Sequence, residues 1–116
     1  LDLIPTICDF AGVSIPSALA GRSLKPLAMG QLPSDWRTAV YSETARGRMV
    51  RTARYKYCLY KKGNPREMLL DMDEDPGEMR NLAGSPQYAD IVAEHRVLIR
   101  EHVEARRDSL FAKFVE

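Results

Sequence analysis

The side chains in this 116-residue chain that could do chemistry are two histidines, two cysteines, a knot of acids and a run of arginines. His95 and His102 fall on one face of a helix-patterned segment, two turns or about 10 Å apart. A helix that chelates one metal ion places its histidines one turn apart, so packing against a neighbouring layer is the expected role. The cluster Asp71, Asp73, Glu74 and Asp75 superficially resembles a calcium loop but lacks the central glycine and the terminal bidentate glutamate at the required distances. Asp75-Pro76-Gly77 is instead turn chemistry, with Asn81 expected to bond nearby backbone groups. A reactive thiol needs a base or a positive field beside it. Cys8 lies in an apolar stripe and Cys58 has only Lys56 and Tyr60 beside it on its strand face. Two buried free thiols are expected, and they do not report a compartment. No glycine-rich phosphate loop and no Ser/His/Asp set can be assembled. That leaves Ser42–Arg48 (SETARGR), a strand connection carrying Glu43, Arg46 and Arg48. The arginine fork suits sulfate, phosphate or carboxylate, and loops held by a sheet are common places for such contacts. A solvated loop and an anion contact both remain open here.

The elements that must carry these residues can be read from periodicity. Residues 2–11 place Leu3, Ile4, Ile7, Cys8 and Ala11 at helical spacing, with Asp2 as a candidate cap and Gly12 as the stop. Residues 13–36 hold prolines and glycines without clean periodicity. They read as a surface loop packing through Val13, Ile15, Leu19, Leu24 and Leu27. Short alternating runs follow at Ala39–Glu43, Arg48–Thr52, Tyr55–Tyr60 and Glu67–Met72, joined by brief links. In the third run Tyr55, Tyr57 and Leu59 share one face, and Lys56, Cys58 and Tyr60 the other. Such a series predicts an antiparallel meander. After Ser85-Pro86, a cap with proline at the first helical position, Tyr88, Ile91, Val92, His95, Leu98, Ile99 and His102 recur at three- and four-residue intervals. The expected fold is therefore α+β. About four antiparallel strands pack against a long C-terminal helix, with a short N-terminal helix and a Pro/Gly-containing loop.

Length favours one domain over residues 1–116, and 45% hydrophobic with 28% charged residues is ordinary for a globular protein. No apolar stretch approaches the roughly 20 residues that span a bilayer, so no membrane partner is expected. The chain opens on Leu1 with no leader pattern, which reads as a fragment. Net charge is +1, which argues against nucleic acid. Arg46, Arg48, Arg51, Arg54, Lys56, Lys61 and Lys62 nevertheless gather in one stretch, either as a solvated strand face or as an anion-binding one.

One family unites these pieces. DLIPTICDFAGV at the start, Gly21-Arg22-Ser23-Leu24 running to Pro26-Leu27, RMVRTARYKY at 48–57 and EMLLDMDEDPGEMRNLA at 67–83 resemble, in order, the C-terminal motifs of type I sulfatases. The resemblance implies a larger parent of the alkaline phosphatase superfamily that hydrolyses sulfate esters or sulfamates, with formylglycine and calcium as its cofactors. No position here matches the Cys/Ser-x-Pro/Ala-x-Arg context or the metal ligands, so this chain alone is expected to be inactive. Its partner would be its own catalytic N-terminal domain, and the parent's substrate a sulfated small molecule or glycan. Glu43, Arg46 and Arg48 are the candidates for the substrate rim.

Two other readings compete. The stretch 46–62 would serve an autonomous interaction module that binds an acidic partner, with binding that weakens steeply in salt. Alternatively the parent would hydrolyse phosphate or phosphonate esters on the same architecture. An isolated subdomain should also expose an apolar patch, leaving the first helix frayed or engaged in self-association.

Overall fold

The computed structural model describes residues 1–108 and 111–112. The chain forms two compact units, Leu1–Trp36 and Arg37–Glu116. In the first, α1 (Leu3–Phe10) is followed by a single short helix, α2 (Lys25–Ala28). Asp2 occupies the N-cap position without a side-chain cap bond; its carboxylate instead accepts from Arg22 N at 3.0 Å. The Thr6 hydroxyl donates to Asp2 O (2.6 Å) and accepts from Leu24 N (2.9 Å). Asp9 accepts from the Ser23 hydroxyl (2.6 Å) and from Lys25 Nζ (3.2 Å). The polar positions of the first two motifs are thus ties between α1 and the segment before α2. The Ser23 hydrogen bond, then Lys25, holds the Asp9 carboxyl below its ordinary range. Gly21 belongs to the same construction, because a Cβ there would lie 2.1 Å from Leu1 O. Gly12, at φ +70°, ends α1 as expected.

The apolar stripe of α1 behaves differently from a core stripe. Leu3, Ile4, Ile7 and Phe10 are all exposed. The loop positions expected to pack do so only in part: Leu19 and Leu24 are half-buried, whereas Val13, Ile15 and Leu27 are exposed.

The second unit is a four-stranded antiparallel meander in the order β1-β2-β3-β4, formed by Val40–Glu43, Gly47–Arg51, Tyr55–Tyr60 and Glu67–Asp71. A 3-10 turn at Pro86–Tyr88 leads into α3 (Ala89–Ala105). Tyr41, Val50, Tyr57 and Leu69 form one cross-strand row. Because paired residues share a face, that row meets α3 through Val92, Ile99 and Val103 to make the core, closed by Leu59, Leu82 and Phe111. The opposite face buries Cys58 and Leu70. β4 does not end the hydrogen bonding. Asn81 Oδ1 accepts from Leu69 N (3.0 Å) and Ala83 N (3.0 Å), Asn81 Nδ2 donates to Glu67 O (3.0 Å), and Leu82 N donates to Leu69 O (2.8 Å). The outer edge of β4 is therefore occupied by the return of the chain, which is the structural content of the Asn81-Leu82-Ala83 motif.

Candidate functional site

The connection between β1 and β2 is built from Thr44 outward. Thr44 N donates to Gly47 O (3.0 Å), and the Thr44 hydroxyl oxygen accepts from Gly47 N (3.0 Å) and Arg46 N (3.3 Å). Arg46 O accepts from Lys61 N at 2.9 Å, which pins the turn to the end of β3. Gly47 is required by close approach: a Cβ would sit 2.9 Å from Tyr60 Cδ1 and 3.0 Å from Leu59 O. The turn thus presents Arg46 at the surface, with Glu43 exposed beside it.

Arg48 is placed differently from the other two candidates. It is buried, and its Nε and Nη2 both donate to Asp108 Oδ2, the first at 3.0 Å. Nη1 donates back to Thr44 O (2.5 Å) and Gly47 O (2.9 Å). The Phe111 ring lies 4.5 Å from its guanidinium carbon. Glu43 also has a helix-side partner, with Oε1 2.8 Å from His102 Nε2. His102 in turn stacks on Tyr41 at 4.0 Å with the rings nearly parallel. His95 is buried, with Nε2 3.2 Å from the Thr52 hydroxyl and Nδ1 2.7 Å from Ile91 O. Both histidines are therefore packing and hydrogen-bonding residues between helix and sheet.

Three residues of the basic run, Arg48, Arg54 and Lys56, meet carboxylates within the fold. Arg54 forks onto Asp71 (Nη2–Oδ2 2.7 Å) and Lys56 meets Glu78 at 2.6 Å. Arg51 donates to Thr52 O and Ala53 O (2.7 and 3.0 Å), and Lys61 sits 5.5 Å from the Phe111 ring centre. Carboxylates thus match three of the run's seven charges, which leaves the stretch less basic than its sequence displays. Asp71 is a structural acid. Arg54, with help from the Glu74 and Asp73 N–H groups, draws its pKa below the ordinary range. Cys58 is pushed the other way by burial, away from the thiolate; Cys8 is half-buried. Asp108 and His102 were not identified as companions of the loop from the sequence. Asp108 is separated from Arg48 by 60 positions, and no local spacing signals such a pair.

Residues 1–105 match the family model described as N-sulphoglucosamine sulphohydrolase, C-terminal. The chain is 44% identical over 116 residues to a Delta 4,5-hexuronate-2-O-sulfatase of Bacteroides thetaiotaomicron, covering 93% of this chain and 24% of the relative. It is 33% identical over 120 residues to an N-acetylglucosamine-6-O-sulfatase of the same organism, covering 94% and 22%. A solved 2-O GAG sulfatase superposes with a TM-score of 0.83 at 44% identity, over 93% of this chain and 25% of that one. A phosphonate monoester hydrolase from Silicibacter pomeroyi superposes with 0.75 at 29% identity, over 96% and 26%. The chain thus spans about a quarter of the length of the relatives it matches. With the motif ties, the meander and the capped β4 edge in place, the chain belongs to the N-sulphoglucosamine sulphohydrolase C-terminal family, as a C-terminal sulfatase domain of the alkaline phosphatase superfamily.

Proposed function

We propose that this domain serves a parent sulfatase acting on a sulfated glycan, where it completes the fold and lends the Thr44–Gly47 turn to the substrate rim. The observation that carries the proposal is the match through residues 1–105 together with 44% identity to a hexuronate sulfatase. Because the single family match runs through both compact units, they belong to one subdomain in this reading, residues 1–116. Its partner is the catalytic portion of the same polypeptide, and the exposed stripe Leu3, Ile4, Ile7 and Phe10 is the surface expected to be covered there.

Formylglycine and calcium belong to the parent's catalytic portion. The residues here do not suit either group. No trio of His, Cys, Asp or Glu is gathered for a metal among the described residues. Asp71 is committed to Arg54, and Cys58 is buried among strand neighbours. What this chain supplies to the reaction is position and charge. Arg46 offers an exposed fork for an anionic sugar substituent, and Glu43 an acceptor for hydroxyls, beside a buried and rigid base.

The test is turnover. The parent enzyme carrying this domain should release sulfate from an unsaturated hexuronate 2-O-sulfated disaccharide, and the 116-residue chain alone should release none. Hydrolysis of a phenyl phosphonate monoester in preference to every sulfate offered would move the parent to the phosphonate class, which the 29% identical hydrolase makes the second reading.

A further inference from the structure

The turn that carries Arg46 is gripped from the far end of the domain. Glu43 and Arg48 face each other across β1 and β2, on the side of the sheet that α3 covers. Each meets a residue at the end of α3 or just beyond it: Glu43 meets His102, and Arg48 meets Asp108. The Arg48–Asp108 pair lies deep, with the side chains 8% and 13% exposed. One guanidinium is divided between two duties. Nε and Nη2 take Asp108, while Nη1 takes Thr44 O and Gly47 O, the carbonyls at the two ends of the turn. A buried guanidinium holds one orientation only where a carboxylate matches it and its remaining N–H groups find acceptors. Asp108 therefore sets the direction of the fork, and the fork sets the two carbonyls that bracket Arg46.

We propose that Asp108 is a positioning residue. Acting through Arg48, it fixes the Thr44–Gly47 turn so that the exposed Arg46 meets a second anionic group of the substrate, such as a uronate carboxylate, away from the scissile sulfate. The assignment rests on the rim reading above. It narrows that reading, since Arg48 works from inside the fold and Arg46 makes the contact.

The experiment is a mutant cycle in the full-length parent enzyme, comparing the unsaturated hexuronate 2-O-sulfated disaccharide with 4-nitrophenyl sulfate, which lacks the second anion. The paired variant Arg48→Met with Asp108→Leu replaces the buried ion pair by apolar side chains of similar bulk, a change that such sites commonly tolerate. Its KM for the disaccharide should rise about tenfold with kcat within about twofold, as expected for loss of one charge-assisted contact. The preference for disaccharide over 4-nitrophenyl sulfate in kcat/KM should fall by about the same factor. Arg46→Ala should raise the disaccharide KM similarly, and the triple variant should be no worse than Arg46→Ala, because one interaction is lost once. Asp108→Asn, which keeps an acceptor facing Arg48, should give an intermediate KM, and it carries the cycle if the apolar pair does not fold. Multiplying effects, an equal loss on both substrates, or an unchanged KM in the Asp108 variants while Arg46→Ala raises it would each overturn the positioning role and leave the rim reading standing. An Arg46→Ala enzyme with an unaltered disaccharide KM would remove the rim reading itself.

Discussion

Glu67 receives bonds from two elements at once. The Tyr57 hydroxyl donates to Oε1, and Arg96 from α3 closes a fork on both oxygens at 2.6 Å. Arg96, then Tyr57, lowers the Glu67 pKa, while burial and then Glu67 raise that of Tyr57. A carboxylate whose folded pKa lies below its unfolded one stabilises the fold above the unfolded value, and that contribution is lost as pH falls through the folded value. Thermal unfolding should therefore show the midpoint falling on acidification below about pH 4.5, and Glu67→Gln should flatten part of that fall. Asp71, shifted in the same direction by Arg54, and Asp9, shifted by Ser23 and Lys25, contribute to the rest. At Asn81, replacement by alanine orphans the buried Leu69 N–H and should cost about 1–3 kcal/mol in urea unfolding. Asn81 was legible in the sequence because its bonds are local turn chemistry. So was the strand connection that carries Arg46, although Glu43 ends β1 and Arg48 lies buried in β2. The companions of these residues, His102, Asp108 and Arg96, were not, since pairing over tens of positions is a product of topology and leaves no mark in spacing.

Among the elements, the strands were the most readable. Period-two alternation set β3 at Tyr55–Tyr60 as expected, and the other three strands begin or end within a residue of the alternating runs. The start of the last helix was less so. Pro86 opens a 3-10 turn, with Tyr88 N bonded to Ser85 O at 3.0 Å, and the α-helix begins at Ala89. Ser85 makes no side-chain cap bond. The four-residue α2 escaped the sequence reading because one turn is too short to display a period. The stripe of α3 was readable because it has a sheet to cover, and it reaches one residue further than the histidines, to Val103. Truncating its centre should be costly: Ile99→Ala should lose about 2–5 kcal/mol in denaturant unfolding. Val97→Ala, on the exposed face, should stay within about 0.5 kcal/mol. Equal losses for the two would mean that α3 is not docked as described.

For the molecule as a whole, apolar side chains on α1 that face solvent set the behaviour of the isolated chain. Leu3 is 73% and Ile7 65% exposed. No described helix is long and apolar enough to cross a membrane. The isolated domain should bind a hydrophobic fluorophore and show concentration-dependent sedimentation. Ile4→Ser with Ile7→Ser should reduce both, and a sedimentation profile that ignores concentration would show that the stripe is no contact surface. The sequence displayed this stripe plainly. It could not display that the stripe stays exposed, because periodicity reports which face is apolar and not what sits on it.

The chain return along β4 has a last consequence for assembly. A sheet offers two rows of unpaired backbone groups, and chains that add at both can grow without limit. Here Asn81 and Leu82 take up Glu67 O and both backbone groups of Leu69 with a side-chain amide and a single peptide. Among the described residues β1 and β4 are the two edge strands of the sheet, and only β4 has the returning chain bonded along it. A second chain pairing at β4 must first displace the bonds to Asn81 and Leu82, so strand addition is disfavoured at that end of the sheet.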